Sequence, residues 1–171
     1  MGDRVEEYVY LGQTISVREG MEREMNVRRQ KVWRKYWSLR RVFKGKMSVK
    51  SKVKILESCV IPVLCYGAET WALTKSQVSS LQKTQRAMER SLLGIKLRER
   101  KSNEEMRKVT ETVDVGYKIK KQKFKYAGHI IRGSNERWTK KVTEWLPYGK
   151  KRARGRPKTR WEDEIRYRVE L

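Results

Sequence analysis

Few side chains in this sequence can do more than carry charge. They are one histidine, His129, two cysteines, Cys59 and Cys65, and the acidic run Glu162 to Glu164 in "WEDEI". A zinc site or a nucleophilic triad needs several such groups converging on one point, which a single histidine and two cysteines on one segment do not supply. His129 stands among apolar neighbours in "YAGHIIR" and is expected to be structural. Two-metal nucleotidyl transfer requires carboxylates gathered on rigid elements. Glu162 to Glu164 instead open a terminal helix, where acids complement the helix dipole. No G-x-x-x-x-G-K-[ST] or G-x-G-x-x-G run is present, so no loop of those kinds cradles a phosphate. The chain is expected to have no catalytic residue, no metal ligand and no cofactor of its own.

What remains is charge. Lys and Arg number 43 against 20 Asp and Glu, a formal net charge of +23 over 171 residues. An acidic polymer is the expected partner: RNA, an RNA-DNA hybrid or DNA. A membrane surface would attract the same charge. However, the sequence has no long apolar run, no signal-type start and no lipidation motif, so no membrane partner is expected. Basic side chains crowd the tail at Lys150, Lys151, Arg152, Arg154, Arg156, Lys158 and Arg160. Within it, Arg154-Gly155-Arg156-Pro157 has the form of an AT-hook core. Gly permits close approach to the minor-groove floor, Pro fixes φ, and the guanidiniums seek the negative potential there. Two readings follow: a chromatin protein holding AT-rich duplex by this hook, or a basic tail that grips any backbone.

The elements that must position these charges are mainly helical. "EEYVYLGQTIS" alternates in the manner of a short strand or hairpin arm, which cannot stand alone. From Glu19, "EGMEREMNVRRQKVWRKYWSLRRVFK" takes helical period, with Met21, Met25, Val32, Tyr36, Leu39 and Phe43 on one stripe and Gly45 as a stop. Trp33 and Trp37 stand four apart amid Arg34, Lys35, Arg40 and Arg41. That mixture can stack on bases and hold phosphates, or the rings can be core. "SVKSKVKILESCVIPVLCYGAETWAL" predicts a helix bent by Pro62, with Lys46, Lys50, Lys52 and Lys54 toward solvent. Cys59 and Cys65 are expected on different faces of it, as reduced core thiols of an intracellular protein. Thr74 with Gln77 forms a capping box for a helix whose stripe is Val78, Leu81, Gln85, Met88, Leu92 and Ile95. Ser102 with Glu105 caps a short helix, and Asp114 caps a further one that Gly133 closes, with Ile119, Tyr126, Ala127 and Ile130 inward. The expected fold class is mainly α: a helical bundle with a short N-terminal strand or hairpin and a basic C-terminal tail. The expected divisions fall at 1–17, 18–97, 98–148 and 149–171.

"YVYLGQTIS" resembles the segment closing the palm, around the primer grip, of non-LTR (LINE-type) retrotransposon reverse transcriptases. "VIPVLCYGAETWALT", "LQKTQRAMERSLLGI", "YAGHIIR" and "GRPKTRWEDEI" resemble, in that order, the carboxy-terminal region of those polyproteins. Such elements copy their RNA into DNA, using palm aspartates and Mg²⁺ followed by a helical thumb. The resemblance implies that the aspartate motif lies upstream of Tyr10, outside this sequence, and that Mg²⁺ belongs only to the full-length polymerase. Neither an endonuclease domain nor a cysteine-histidine knuckle is visible, and Met1 is expected to begin a truncated frame. Tyr10, Leu11 and Gly12 match the primer-grip region. The helix from Glu19 to Phe43 matches the start of the thumb, whose role is to hold template and primer by their backbones.

The expected function is binding without chemistry. Arg28, Arg29, Lys31, Arg34 and Lys35 would face an RNA or RNA-DNA backbone, with the Lys150 to Arg160 tail as a second grip. A palm domain on a related polymerase chain is a further expected partner, and the expected location is intracellular, nuclear or nucleocytoplasmic.

Overall fold

A computed structural model describes residues 5–16, 18, 20–133, 137–144 and 160–165. The chain enters through a two-stranded antiparallel hairpin, β1 (Glu7–Tyr10) and β2 (Gln13–Ser16), in the register Glu7 to Ser16 and Tyr10 to Gln13. Its two turn residues, Leu11 and Gly12, have φ of 47° and 80°. That pairing of positive φ values makes the tight turn whose twist matches the strands, and it explains a glycine at this point. The strand expected from the alternation is therefore one arm of a local hairpin.

Helix α1 (Met21–Ser38) follows, burying Met25, Val32 and Tyr36 along the expected stripe. The stripe was expected to run unbroken to Phe43, but α1 ends at Leu39 (φ −97°, ψ 14°) and a short α2 (Arg40–Lys44) resumes after it. Beyond the break Phe43 stacks on Tyr36, with centroids 4.7 Å apart. Helix α3 (Val49–Ile55) passes through a wide turn at Leu56–Val60 into α4 (Ile61–Leu64). In that turn the Ile61 amide reaches back five residues to the Leu56 carbonyl. Pro62 supplies the reason: it has no N–H for the Ser58 carbonyl, and the helix widens there instead of breaking. Gly67 (φ 74°) then turns the chain so that Ala68 and Trp71 drop into the core.

Helix α5 (Lys75–Leu93) carries the capping box of Thr74 and Gln77 and buries Leu81, Gln85, Met88 and Leu92. Helix α6 (Asn103–Thr110) has the corresponding box of Ser102 and Glu105. Helix α7 (Val115–Arg132) starts on Asp114, whose carboxylate accepts from the Gly116 amide, and packs against α5 and the turn at Ala68–Thr70. A short α8 (Trp138–Glu144) follows. One apolar core joins α1 through α5 with the start of α7. The molecule is mainly helical with an N-terminal hairpin, as its periodicities require.

The carboxy-terminal piece returns to the bundle. Trp161 donates its indole N–H to the Glu69 carbonyl at 2.6 Å and meets Tyr126 edge-on. Glu164 pairs with the buried Lys123 at 3.1 Å. The acids of "WEDEI" thus do more than offset a dipole, since one of them neutralises a lysine inside the fold.

Candidate nucleic-acid interface

Helix α1 has two unlike faces. Met25, Arg28, Val32 and Tyr36 turn to the core, while Arg23, Asn26, Arg29, Gln30, Trp33, Arg34, Trp37 and Ser38 line an open trough of about 880 Å³. Both sets follow from one period, because steps of three and four return to the same side of a helix. The two indoles lie nearly parallel, with centroids 5.9 Å apart and planes inclined by 21°. Trp33 packs on the core edge and stiffens the pair, while Trp37 is 49% exposed. Trp33 therefore serves the core and Trp37 offers a ring face to solvent. Arg29 reaches only the Asn26 side-chain oxygen, at a long 3.4 Å, and Arg34 is exposed with no carboxylate partner among the described residues. An exposed ring edged by guanidiniums can stack on a base and hold the phosphates beside it.

The residues expected to contact a backbone divide sharply. Arg29 and Arg34 line the trough, and Lys35 is exposed on its flank. Arg28 corrects the expectation, because its side chain is only 5% exposed and points inward. Its Nε donates to Glu24 at 2.5 Å, its Nη2 donates to the Gly12 carbonyl at 2.7 Å, and its guanidinium lies 4.6 Å over the Tyr66 ring. Lys31, half-buried, also reaches the Gly12 carbonyl, at 3.4 Å. Both cations hold the hairpin turn. A stripe that steps from Met25 to Val32 leaves position 28 on the core side, and Glu24 four residues earlier is the partner that makes a charge tolerable there.

Tyr10, Leu11 and Gly12 form the tip of that hairpin. Tyr10 and Leu11 project into solvent, and the tip is fixed from behind: Tyr66 donates its hydroxyl to the Leu11 carbonyl at 3.0 Å, and the Thr14 amide donates to Glu24 at 2.6 Å. In the tail, Arg160 is half-buried and its backbone N–H donates to Asp163 at 2.7 Å, beside the docked Trp161. Lys150, Lys151, Arg152, Arg154, Arg156 and Lys158, with the hook-like tetrapeptide, lie outside the described residues.

Sequence reasoning missed Arg23, Asn26, Gln30 and Ser38 as trough residues. Their signal was available, since they share helical spacing with Trp33 and Trp37. Arg23 is anchored by Glu7 of the hairpin at 2.9 Å, which ties the trough's end to β1.

The candidate chemical groups are dispersed. His129 is exposed on α7, contrary to a core role, because its position falls opposite Ile119, Ala127 and Ile130. Cys59 is also exposed, whereas Cys65 is buried, and burial pushes its thiol up to about 12. Only Cys65 is a core thiol. Among the described residues, no group of three or more His, Cys, Asp or Glu is gathered to hold a metal ion, and no helix is long and apolar enough to cross a membrane.

The chain is 32% identical, over 171 aligned residues and 98% of its length, to a protein of Caenorhabditis elegans described as a putative uncharacterized transposon-derived protein. It spans 61% of that relative's length. No family model matches the chain, and no solved structure matches it.

Proposed function

We propose that the chain is a nucleic-acid-binding region from a non-LTR retrotransposon reverse transcriptase, acting inside the cell, in the nucleus or between nucleus and cytoplasm. It grips the backbone of RNA or of an RNA-DNA hybrid through the outer face of α1 and supplies no catalytic group. The polymerase aspartates and their Mg²⁺ would belong to a palm on another part of the polymerase. The observation that carries this reading is the trough itself: Arg29, Arg34 and the exposed Trp37 on one rigid helix, in a chain of net charge +23. The similarity to a protein described as transposon-derived supports the setting.

Trp37 would stack on an exposed base, worth about 1–3 kcal/mol, while Arg29, Arg34 and Lys35 hold phosphates. Arg28 and Lys31 act indirectly by fixing the hairpin tip next to this face. If roughly six to ten phosphates are held over the whole surface, raising salt from about 50 to 200 mM lowers affinity about 10³- to 10⁵-fold.

The test is competitive binding of the full chain to an RNA-DNA primer-template hybrid and to an AT-rich DNA duplex across that salt range. The expected result is a steep salt dependence and a preference for hybrid or RNA, weakened by Arg29→Ala with Arg34→Ala and by Trp37→Ala. A flat salt response refutes the reading. A preference for AT-rich duplex that disappears when residues 149–171 are removed refutes it too, and places recognition in the tail.

A further inference from the structure

A second cationic surface runs along α7, where the sequence offered only "KIKKQKFKYAGHIIR". At 3.6 residues per turn, Lys118, Lys121, Lys125, His129 and Arg132 fall within about a third of the helix circumference. Inward-facing Ile119, Ala127 and Ile130 occupy the other side. Lys118 is taken by Glu57 at 2.9 Å. Lys121, Lys125 and Arg132 are exposed, and none has a carboxylate partner among the described residues.

Two adjoining depressions lie along this stripe and share Gln122 and Lys125. One, of about 330 Å³, is floored by Ile61, Pro62 and Cys65. The other, of about 410 Å³, reaches from Lys125 past His129 to Arg132. Glu57 and Glu69 are the acids on their walls, against four basic residues. Glu164 of the carboxy-terminal piece is on the opposite flank, where it faces Lys123 and Lys120. Gly128 completes the surface: a Cβ there would stand 3.1 Å from Arg132 Nη1, so the missing side chain leaves the guanidinium room to lie along the helix.

We propose that this α7 stripe is a second binding surface, for the phosphate backbone of a nucleic-acid duplex, separate from the α1 trough. The proposal rests on the reading that the chain binds nucleic acid, and it adds where and in which form. Lys121 to Arg132 span roughly 16 Å at 1.5 Å per residue, a length over which a DNA duplex presents roughly ten phosphate charges. The stripe carries no exposed indole, and Tyr126 at its edge is occupied by Trp161. The exposed Tyr117 stands one turn before its amino-terminal end, so from Lys121 to Arg132 the stripe has no free ring of the kind α1 has in Trp37. Cations in a row with no free ring between them fit a stacked, regular backbone and read no sequence.

The experiment measures binding of the full chain to a mixed-sequence DNA duplex between about 50 and 200 mM salt, for wild type and for Lys121→Gln/Lys125→Gln/Arg132→Gln. All three side chains are exposed, so the triple variant keeps the fold, checked by its circular dichroism and urea midpoint. Losing three contacts lowers the slope of log affinity against log salt by about 2.7, so wild type loses about forty-fold more affinity than the variant over that range. A second protein, Arg29→Gln/Arg34→Gln, separates the two surfaces. If the α1 variant binds more weakly while the α7 variant matches wild type, the inference is overturned and the α1 reading stands. If the α7 variant alone is weakened on the DNA duplex, the inference stands; the α1 reading falls only if Arg29→Gln/Arg34→Gln also binds the RNA-DNA hybrid as tightly as wild type. If the α7 variant binds duplex like wild type but no longer binds anionic lipid vesicles, the stripe serves a membrane surface and the inference is again overturned.

Discussion

Replacing Arg28 separates a structural role from a binding role. In the sequence it is one more arginine of a basic run, but in the fold it is the inner member of a buried pair, with Arg28 and Glu24 side chains 5% and 1% exposed. Arg28→Ala leaves the Glu24 carboxylate buried with the Thr14 amide as its remaining partner, and leaves the Gly12 carbonyl with the long contact to Lys31. Removing one partner of a buried ion pair costs about 3–5 kcal/mol, because the surviving charge keeps its desolvation penalty. The contact over Tyr66 adds about 0.5–1 kcal/mol, not strictly additive with the rest. Against a total stability of about 5–15 kcal/mol for a domain, the variant should be severely weakened. Urea unfolding of Arg28→Ala, Glu24→Leu and the double variant gives the coupling, and the double variant should be more stable than Arg28→Ala despite carrying one more change. Under conditions where Arg28→Ala is still folded, its salt slope for nucleic acid should equal that of wild type. A destabilisation below about 1 kcal/mol together with a slope reduced by about one would refute the placement and return Arg28 to the binding face.

The other predictions draw on different parts of the fold. Maleimide at neutral pH should modify Cys59 and spare Cys65, whose thiol is buried and pushed up to about 12; two adducts on native protein, read by mass spectrometry, would contradict this. Burial raises the Glu89 carboxyl, and the hydrogen bond from the Thr112 hydroxyl at 2.6 Å only partly offsets it. The native state then keeps a proton that the unfolded chain loses near the ordinary glutamate value of about 4.3, so stability falls as pH rises from there through the folded value. Glu89→Gln should flatten that fall, and an unchanged pH slope in urea titrations would count against it. Gly67→Ala should cost about 1–2 kcal/mol in the same assay, since φ is 74° while the nearest atom to an added Cβ, at 3.6 Å, is only in ordinary contact. Finally, added salt should raise the urea midpoint by screening a net charge of +23 while lowering nucleic-acid affinity, and a midpoint that falls with salt would show that attraction outweighs repulsion in the native state.

How far the fold was legible depended on whether the deciding interaction was local. Both capping boxes, the helix starts at Lys75 and Asn103 and the cap at Asp114 could be read directly, because each depends on residues two or three apart. The break at Leu39 could not, because Tyr36 and Phe43, which stack beyond it, are seven apart and would share a face of an unbroken helix too. The widened turn before Pro62 was legible as a disturbance but not in kind. The candidate site was half legible. Helical spacing put the two indoles together amid Arg34 and Lys35, but whether a ring is core or surface is set by neighbours distant in sequence, and Trp33 and Trp37 fell on opposite sides of that decision. The polar residues inside were the largest omission. Arg28, Glu89 and Lys123 all sit on the apolar stripes of their helices, four residues from a buried position, so the period marked them. Their partners, Glu24, Thr112 and Glu164, lie 4, 23 and 41 residues away, and only the first separation is visible to helical pattern.

These partners show how so basic a chain sustains two cationic surfaces. Acids in the described residues repeatedly hold backbone amides or buried cations. Glu24 accepts from Thr14 and Arg28, Glu57 from Val113 and Lys118, Glu105 from Ser102, Asp114 from Gly116 and Arg107, and Glu164 from Lys123. Desolvation pushes the Asp114 carboxyl up, but its hydrogen bonds and Arg107 prevail and hold it below the ordinary value. Carboxylates used this way are not spaced along α1 and α7 to neutralise exposed lysines and arginines in i, i+4 pairs, as they would be on an ordinary solvated helix. Negative charge goes into the fold and positive charge stays on the surface. The division is directional: replacing an acid of this set should cost stability before it alters binding. Replacing Arg34 or Lys125 should cost binding and, by easing repulsion, leave the fold as stable or more so.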